Sequence, residues 1–380
     1  MKTDTIGAGQ AVLLLFLSRC FNFLNYIPAF LGRAEGMSIL AGNLVSFLLQ
    51  GFLLIPAILL YQRFPRQNVL EITCQKSRIF GIFLAVCYAA ATLLNLTGSL
   101  VGFEYFITNA IFPKSPVIFI VISMAIVCIL CARHGIQGIG RAACILAVYF
   151  LISTLFINLV SLKSADLLNI RPITEQPVAS IARWASDSLA KSNELTLFVL
   201  LLPQIRSGQK RTAAGFLLLS LGFVESMIFF VLSVLGDYGL IQTFPYYSLA
   251  SVADISIFQR LDSLHMMLWV IVAFVCITLM AIVCKACLQT ALPKKLHGWI
   301  FPFILAVSCT AAILIGSRPE IIQNISSTNP ALVILLSAGV PLILLLITRK
   351  EVPPPHEKTI ESVLRPTADP DEPASNRVSG

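Results

Sequence analysis

The amino-acid sequence predicts an all-α membrane protein with ten transmembrane helices. Hydrophobic residues make up 57% of the 380 residues and charged residues only 12%, whereas roughly a quarter of the residues in soluble domains are charged. A spanning helix needs about 20 mostly apolar residues, and the apolar runs do not alternate with the period of two that barrel strands show. The candidate spans are 11–31, 37–60, 80–103, 115–132, 142–162, 194–205, 212–236, 263–284, 298–316 and 329–348.

The chain outside these segments is too short for a separate soluble core, so residues 1–348 form one predicted polytopic domain. After Thr348 the sequence becomes rich in proline, charge and small polar residues. Such a segment cannot bury enough apolar area to offset the entropy of ordering. We therefore expect residues 349–380 to be a disordered cytoplasmic tail.

The net charge of +8 indicates orientation in the membrane rather than a nucleic-acid partner. The loops after the second, fourth, sixth and eighth segments carry Arg63, Arg66, Lys76, Arg78, Arg133, Arg141, Arg206, Lys210, Arg211, Lys285, Lys294 and Lys295. The short loops on the other side carry Arg33, Lys114 and Arg318. Because cytoplasmic loops are enriched in Lys and Arg, this asymmetry places both termini in the cytoplasm.

Ten spans suit two inverted repeats of five, a plan found in many secondary transporters, in which the first helix of each repeat is discontinuous. Segment one is interrupted by Arg19, Asn22, Asn25 and Pro28. Segment six is short, with an apolar run that begins after Glu194 and ends at Pro203. We therefore predict that helices 1 and 6 are discontinuous and face each other. The alternative is that these residues only kink the helices for packing.

The longest external connection, 163–193, contains a run with a helix-like apolar face formed by Val178, Ile181, Trp184 and Leu189. Tryptophan is common at membrane interfaces. The pattern favours a surface helix that packs on the bundle, and a lid over a ligand is the alternative.

No catalytic, metal or cofactor site is predicted. None of the four histidines shares a helix face with a carboxylate and a nucleophile, and phosphate-binding glycine loops are absent. The pairs Cys128/Cys131 and Cys284/Cys287 have metal-like spacing but no histidines nearby. Buried thiols are the more common use of cysteine in apolar segments, so an enzyme is not expected.

Three stretches carry a family resemblance. The first, 244–280, contains Phe-Pro-x-Tyr, then Ile-x-x-Phe-x-Arg-Leu-Asp, then Leu-Trp-Val. The second is EYFITNAIFPKSP at 104–116, and the third contains Gly138 and Arg141. In order and spacing they resemble the B subunits of endospore nutrient-germinant receptors, a branch of the amino acid–polyamine–organocation transporter superfamily. Two features depart from that pattern: Cys276 stands where relatives often have lysine, and 22–25 lacks their glycine-rich centre.

The resemblance implies a transporter-like membrane subunit in the spore inner membrane. It implies binding of a small nutrient, an amino acid in the first instance, and association with A-type and C-type receptor subunits. An amino acid secondary transporter (permease) is the alternative, and a scaffold subunit with a vestigial pocket is a third reading.

A site between the two discontinuous helices follows from this fold. Its predicted ligand-binding residues are Asn22, Asn25, Tyr26, Asn95, Ser99, Phe198, Leu201 and Leu202. For the amides, an interhelical hydrogen bond is an equal alternative, because polar groups in membrane bundles commonly pair in that way.

A structural ion pair is predicted at the outer ends of helices three and eight. Glu104 and Arg260 lie at similar depth if both helices span the membrane, and Asp262 stands beside Arg260 at the start of a helix. The alternative is that each charge is simply hydrated at the interface.

Overall fold

The computed structural model describes residues 5–26, 36–170, 178–253, 261–316 and 330–348. The first part of the chain contains α1 (Ala8–Tyr26), α2 (Gly36–Arg63), α3 (Val69–Lys76), α4 (Arg78–Phe106), α5 (Val117–Ala132) and α6 (Gly135–Ser161). The second part contains α7 (Val178–Ala190), α8 (Glu194–Leu201), α9 (Gln209–Leu235), α10 (Asp237–Ile241), α11 (Pro245–Val252), α12 (Asp262–Ala291), α13 (Ile300–Gly316), α14 (Pro330–Ile334) and α15 (Val340–Ile347).

Shorter helical turns extend several of these helices. A π-helical turn, Ile107–Ile111, continues α4, and a second one, Leu335–Gly339, joins α14 to α15. Turns of 3₁₀ geometry follow α8 at Leu202–Gln204 and precede α13 at Lys294–Trp299.

The prediction of an all-helical membrane protein is confirmed. Each of the ten predicted apolar segments contains a helix, and within the described ranges seven helical stretches are long and apolar enough to cross a membrane. The helices α1, α5 and α8 are apolar but shorter. The count of ten spans and the inverted repeat therefore remain predictions, and the predicted tail, 349–380, lies outside the described residues.

Hydroxyl and amide side chains inside the apolar helices bond mainly to their own helix. On α4, the side chains of Thr92, Asn95, Thr97 and Ser99 each donate a hydrogen bond to the carbonyl four residues earlier, at 2.8–2.9 Å. A buried polar group without such a bond is costly. These bonds explain how α4 contains four polar residues within eight positions and still packs inside a membrane bundle.

Helix α12 is the centre of the bundle. In its most apolar stretch 78% of the residues are buried, against 33–44% in the other six long apolar helices. It packs against α4 most extensively and also against α1, α5, α6 and α13. A helix that is apolar on all sides is expected to be surrounded by other elements, and α12 follows that rule.

The amino-terminal segment is tied to the end of α8. The backbone N–H of Ile6 donates to the carbonyl of Gln204 at 2.9 Å, and the N–H of Arg206 donates to the carbonyl of Ile6 at 3.0 Å. Because α1 begins two residues after Ile6, this bridge fixes the start of α1 next to the end of α8.

Helix α7 is the helix predicted in the long external connection. It packs along α2, where Gly42 allows the closest approach: a Cβ atom on Gly42 would lie 2.4 Å from the Cβ of Trp184 and 2.9 Å from the carbonyl oxygen of Ile181. Trp184 is buried against the protein, and its expected position at the membrane interface remains a prediction. The middle of α7 is held against α2.

We predict that Gly42→Ala destabilises the protein, because the new methyl group cannot fit without moving α7 away from α2. Overpacking of this kind typically costs about 1–3 kcal/mol. The midpoint of thermal unfolding of the detergent-solubilised protein measures the effect. Gly222→Ala on α9 is the matched control, since nothing lies within 4 Å of its added Cβ and alanine favours a helix over glycine by about 1 kcal/mol. Equal midpoints for the two variants would contradict the packing described for α7.

Candidate functional site

The helical path is broken between α7 and α8. Helix α7 ends at Ala190 and α8 begins at Glu194, and turn-type bonds connect them: Ser192 N–H to the Leu189 carbonyl at 3.0 Å and Leu195 N–H to the Ser192 carbonyl at 3.1 Å. Helix α8 has eight residues, all buried. The break therefore places a short polar sequence, Lys-Ser-Asn-Glu at 191–194, within the bundle, with Ser192 and Glu194 buried.

A buried ion pair joins this break to α1. The Nη1 atom of Arg19 lies 3.8 Å from Oε2 of Glu194, and the two side chains are only 2% and 0% exposed. Charged groups at such positions are costly and are found where they have partners or a function. As the first residue of α8, Glu194 also stands where a negative charge is favoured by the helix dipole.

Each charge of the pair is held by neutral side chains. The Oε1 atom of Glu194 accepts hydrogen bonds from Ser18 Oγ at 3.3 Å and from Asn22 Nδ2. Arg19 donates from Nη1 to Ser192 Oγ at 2.8 Å and from Nη2 to Ser188 Oγ at 3.2 Å. The last turn of α7 and the break that follows it thus bind the guanidinium, while α1 binds the carboxylate.

The same network extends to α2 and α9. Ser188 Oγ donates to Asn43 Oδ1 at 2.9 Å, and Asn43 Nδ2 donates to Glu225 Oε1 at 3.0 Å. The guanidinium of Arg19 also lies over the ring of Phe47, 5.1 Å from its centroid. A continuous chain of polar groups therefore connects the ion pair to a second carboxylate on α9.

A small cavity adjoins the other side of the break. Its volume is about 20 Å³, and it is lined by Ala91, Thr92, Asn95, Asn193, Thr196, Leu197, Met280, Leu332, Val333 and Leu336. Asn193 Nδ2 donates to Asn95 Oδ1 at 2.5 Å, which links the break to α4. A volume of this size holds about one water molecule.

The π-helical turn Leu335–Gly339 forms part of the cavity wall. The hydroxyl of Tyr88 on α4 donates to the carbonyl of Leu336 at 2.5 Å. Turns of π geometry are frequent at functional sites. The cavity therefore lies between two irregular pieces of backbone, the break at 191–193 and this turn.

Comparison with known proteins decides the family. The sequence profile described as "Spore germination protein" matches residues 37–320. The chain belongs to the spore germination protein family. No curated protein matches the chain.

Solved structures share the fold of this spore germination protein. A Na⁺-coupled sialic acid symporter in a substrate-bound outward-open state aligns with a TM-score of 0.61 and 11% identity, covering 90% of this chain and 80% of the symporter. Two mutant forms of a manganese transporter from Eremococcus coleocola align with a TM-score of 0.50 and 12% identity, covering 89% of this chain and 78% of the transporter. At these identities the likeness concerns the fold alone.

The structure brings the predicted segments one and six into contact. Asn22 bonds to Glu194, and Asn95 bonds to Asn193, so both amides make the interhelical bonds that were the alternative to ligand contact. Ser99 Oγ donates to the Asn95 carbonyl and approaches Sδ of Met280 at 3.8 Å, so it lies behind the cavity wall. Helix α1 is unbroken to Tyr26, and any break beyond it lies outside the described residues.

The other predicted ligand residues are less close to the cavity. Phe198, Leu201 and Leu202 are buried in the apolar core, whereas Thr196 and Leu197 are the residues of α8 that line the cavity. The side chains of Asn25 and Tyr26 lie outside the described residues. The role of all eight predicted residues in ligand binding, including Asn22, Asn95 and Ser99, remains a prediction.

The predicted pair of Glu104 and Arg260 also remains a prediction, because Arg260 lies outside the described ranges. Glu104 is buried, and its Oε1 accepts from Thr108 Oγ1 at 3.2 Å. Asp262 is the first residue of α12, as expected, and its Oδ1 accepts from the Ser263 N–H at 2.8 Å.

Sequence reasoning noted Arg19 and Glu194 as interruptions of apolar segments but did not pair them. The signal that could have found the pair is their opposite charge in the first segment of each predicted half. Cys276, the departure from the lysine common in relatives, lies in the same place: its Sγ is 3.3 Å from Ser18 Oγ.

We predict that Arg19→Met and Glu194→Leu each lower stability, and that the double variant is more stable than either single one. Breaking a buried pair leaves an uncompensated charge and costs about 3–5 kcal/mol, whereas replacing both partners by apolar residues is often neutral. Unfolding midpoints of the four proteins in detergent form a double-mutant cycle. A double variant that loses the sum of the two single losses would show that the charges do not interact.

Proposed function

We propose that this protein is the B-type membrane subunit of a spore germinant receptor, and that it binds a small nutrient, an amino acid in the first instance, to trigger germination. The observation that carries the proposal is the charged break between α7 and α8, joined to α1 by a buried ion pair, in a chain that belongs to the spore germination protein family. Binding sites in transporter folds lie where discontinuous helices expose polar groups. No catalytic step is part of this function.

The topology of the proposal is ten spans in two inverted repeats, with α7 and α8 as the two halves of helix 6. Seven long apolar helices and the shorter α1, α5 and α8 supply ten apolar segments in the described ranges. We expect the protein to lie in the spore inner membrane. Both termini would face the cytoplasm, because Lys and Arg are concentrated in the loops on one side of the membrane. A-type and C-type subunits are the proposed partners.

The cavity beside the break would have to enlarge to hold a nutrient. Its volume of about 20 Å³ is too small for an amino acid, so binding in this cavity requires one of its walls, α8 or the π-helical turn, to move. A ligand shifts such an equilibrium only by its difference in affinity for the two states. A change from 1:99 to 99:1 needs about 5.5 kcal/mol of that difference.

An amino acid permease is the second candidate, and the structural likeness to two transporters favours it. Both functions need the same pocket, but only a permease must release the ligand on the far side. The purified protein in proteoliposomes, tested with a mixture of radiolabelled amino acids, separates them. Binding without accumulation supports the receptor, and accumulation above protein-free vesicles supports the permease.

We predict that Asn95→Leu raises the nutrient concentration for half-maximal germination about tenfold, which corresponds to about 1.4 kcal/mol. The change keeps the approximate size of the side chain but removes the acceptor for Asn193 at the cavity wall. Variant spores that carry the A-type and C-type subunits, titrated with nutrient, give the measurement. Asn109→Leu is the control, because Asn109 lies on the same helical stretch but is exposed. An unchanged half-maximal concentration for Asn95→Leu would place the ligand elsewhere.

A further inference from the structure

The ion pair between Arg19 and Glu194 is buried but incompletely bonded. Its closest charged atoms are 3.8 Å apart, whereas charge-assisted hydrogen bonds between such groups measure about 2.7–2.9 Å. In the described part of the chain, Oε2 of Glu194 and Nε of Arg19 have no hydrogen-bond partner. Buried charged atoms that lack partners are rare, because each loses its hydration without replacement.

The unused bonding capacity of the two groups is complementary to a zwitterion. A guanidinium has five N–H donors, and Arg19 donates one bond from each Nη to the serines of the break. The edge that includes Nε therefore remains for a carboxylate, which can accept two parallel bonds from it. Oε2 of Glu194 lies 3.8 Å from Nη1 of Arg19 and accepts no hydrogen bond in the described part of the chain, so it is an acceptor for an ammonium group.

The neighbouring side chains keep the two charges apart and in place. Ser18 and Asn22 hold Oε1 of Glu194 on the α1 side, and Ser188 and Ser192 hold the guanidinium on the α7 side. These bonds leave the unused atoms, Oε2 and Nε, free for a further partner. The break also adjoins the cavity through Asn193.

We propose that Arg19 and Glu194 form the recognition site for the α-carboxylate and α-ammonium groups of an amino acid. This inference rests on the proposed function and names the groups by which its ligand is recognised. In the ligand-free state the two residues neutralise each other. In the bound state the ligand lies between them, its carboxylate on Arg19 and its ammonium group on Glu194.

Charge balance gives this site its selectivity. Arg19, Glu194 and a zwitterion together carry no net charge, so two buried pairs replace one. Lys191, the other cation of the break, interacts with the opposite charge of Asp187 on α7. A ligand that lacks the ammonium group would pair its carboxylate with Arg19 and leave Glu194 buried without a counter-charge. A ligand whose carboxylate is blocked as an amide would leave Arg19 without one. Both cases bury an unbalanced charge, which is strongly unfavourable.

The first experiment measures binding to the full chain in lipid nanodiscs, with each of the twenty standard amino acids as the probe. If none of them shifts the unfolding temperature of the wild-type protein, the proposed function fails and the inference fails with it. For the amino acid with the largest shift, the dissociation constants of its amide and of its deaminated acid are then measured. We expect each analogue to bind at least tenfold more weakly than the amino acid, and equal affinities would overturn the recognition of both charged groups.

The second experiment compares variants whose folding is first checked by their unfolding midpoints in the nanodiscs. The double variant Arg19→Met with Glu194→Leu retains no unpaired charge, and we expect it to bind the amino acid at least tenfold more weakly than wild type. Glu194→Gln is expected to reduce the preference for the amino acid over its deaminated acid at least tenfold. The control is Glu104→Gln, which changes another buried glutamate away from the pair and should bind as wild type does.

The outcomes separate the inference from the function on which it rests. If the double variant binds the amino acid as tightly as wild type, the pair is structural, and the receptor proposal stands without it. If Glu104→Gln loses binding to the same degree as the double variant, the loss is not specific to the pair and the inference fails. A double variant that is folded by its unfolding midpoint but no longer binds, with Glu104→Gln unchanged, supports it.

Discussion

The structure depends on one buried electrostatic interaction, the pair of Arg19 and Glu194. It connects α1 to the break between α7 and α8, and its serine and asparagine neighbours extend the connection to α2 and α9. Apolar packing alone would not fix these elements at one depth and rotation, since helices in a lipid environment gain no hydrophobic driving force from meeting each other. Hydrogen bonds and charges are directional, so they select one arrangement among the many that apolar surfaces allow. The position of the cavity follows from that selection.

The bundle combines a long central helix with short, interrupted helical segments. Helix α12 is enclosed by α4, α1, α5 and α6, and the polar residues of α4 are satisfied by their own backbone. By contrast, α8 is short, begins after a break and contacts the cavity. The proposed receptor function requires such a division, because a ligand acts through elements that can change position against those that cannot. The break and the π-helical turn are the places where regular α-helical hydrogen bonding is interrupted.

The sequence was sufficient for the helices because hydrophobic length is a local property. Every predicted apolar segment contains a helix, and the helix over 178–190 follows from the spacing of Val178, Ile181, Trp184 and Leu189. Which face of each helix lines the cavity was harder to predict. Helix α8 is buried on all sides, so its pattern has no exposed side, and nothing in it distinguishes Thr196 and Leu197 from Phe198, Leu201 and Leu202. The charges of Arg19 and Glu194 are visible in the sequence, but their pairing depends on α1 and the start of α8 lying side by side, which only the tertiary structure shows.

The π-helical turn at Leu335–Gly339 has a mechanical consequence. Such a turn holds one residue more than an α-helical turn, and each residue of a helix occupies about 100° of its circumference. If the π-helical turn moved along the helix, the residues that it passed would rotate to a different face of the helix. The helical segments before and after the turn would not move. Val333 and Leu336 line the cavity at the start of this turn. One wall of the cavity can therefore exchange the side chains that it presents by sliding a defect along a helix, with no rigid-body displacement of the bundle.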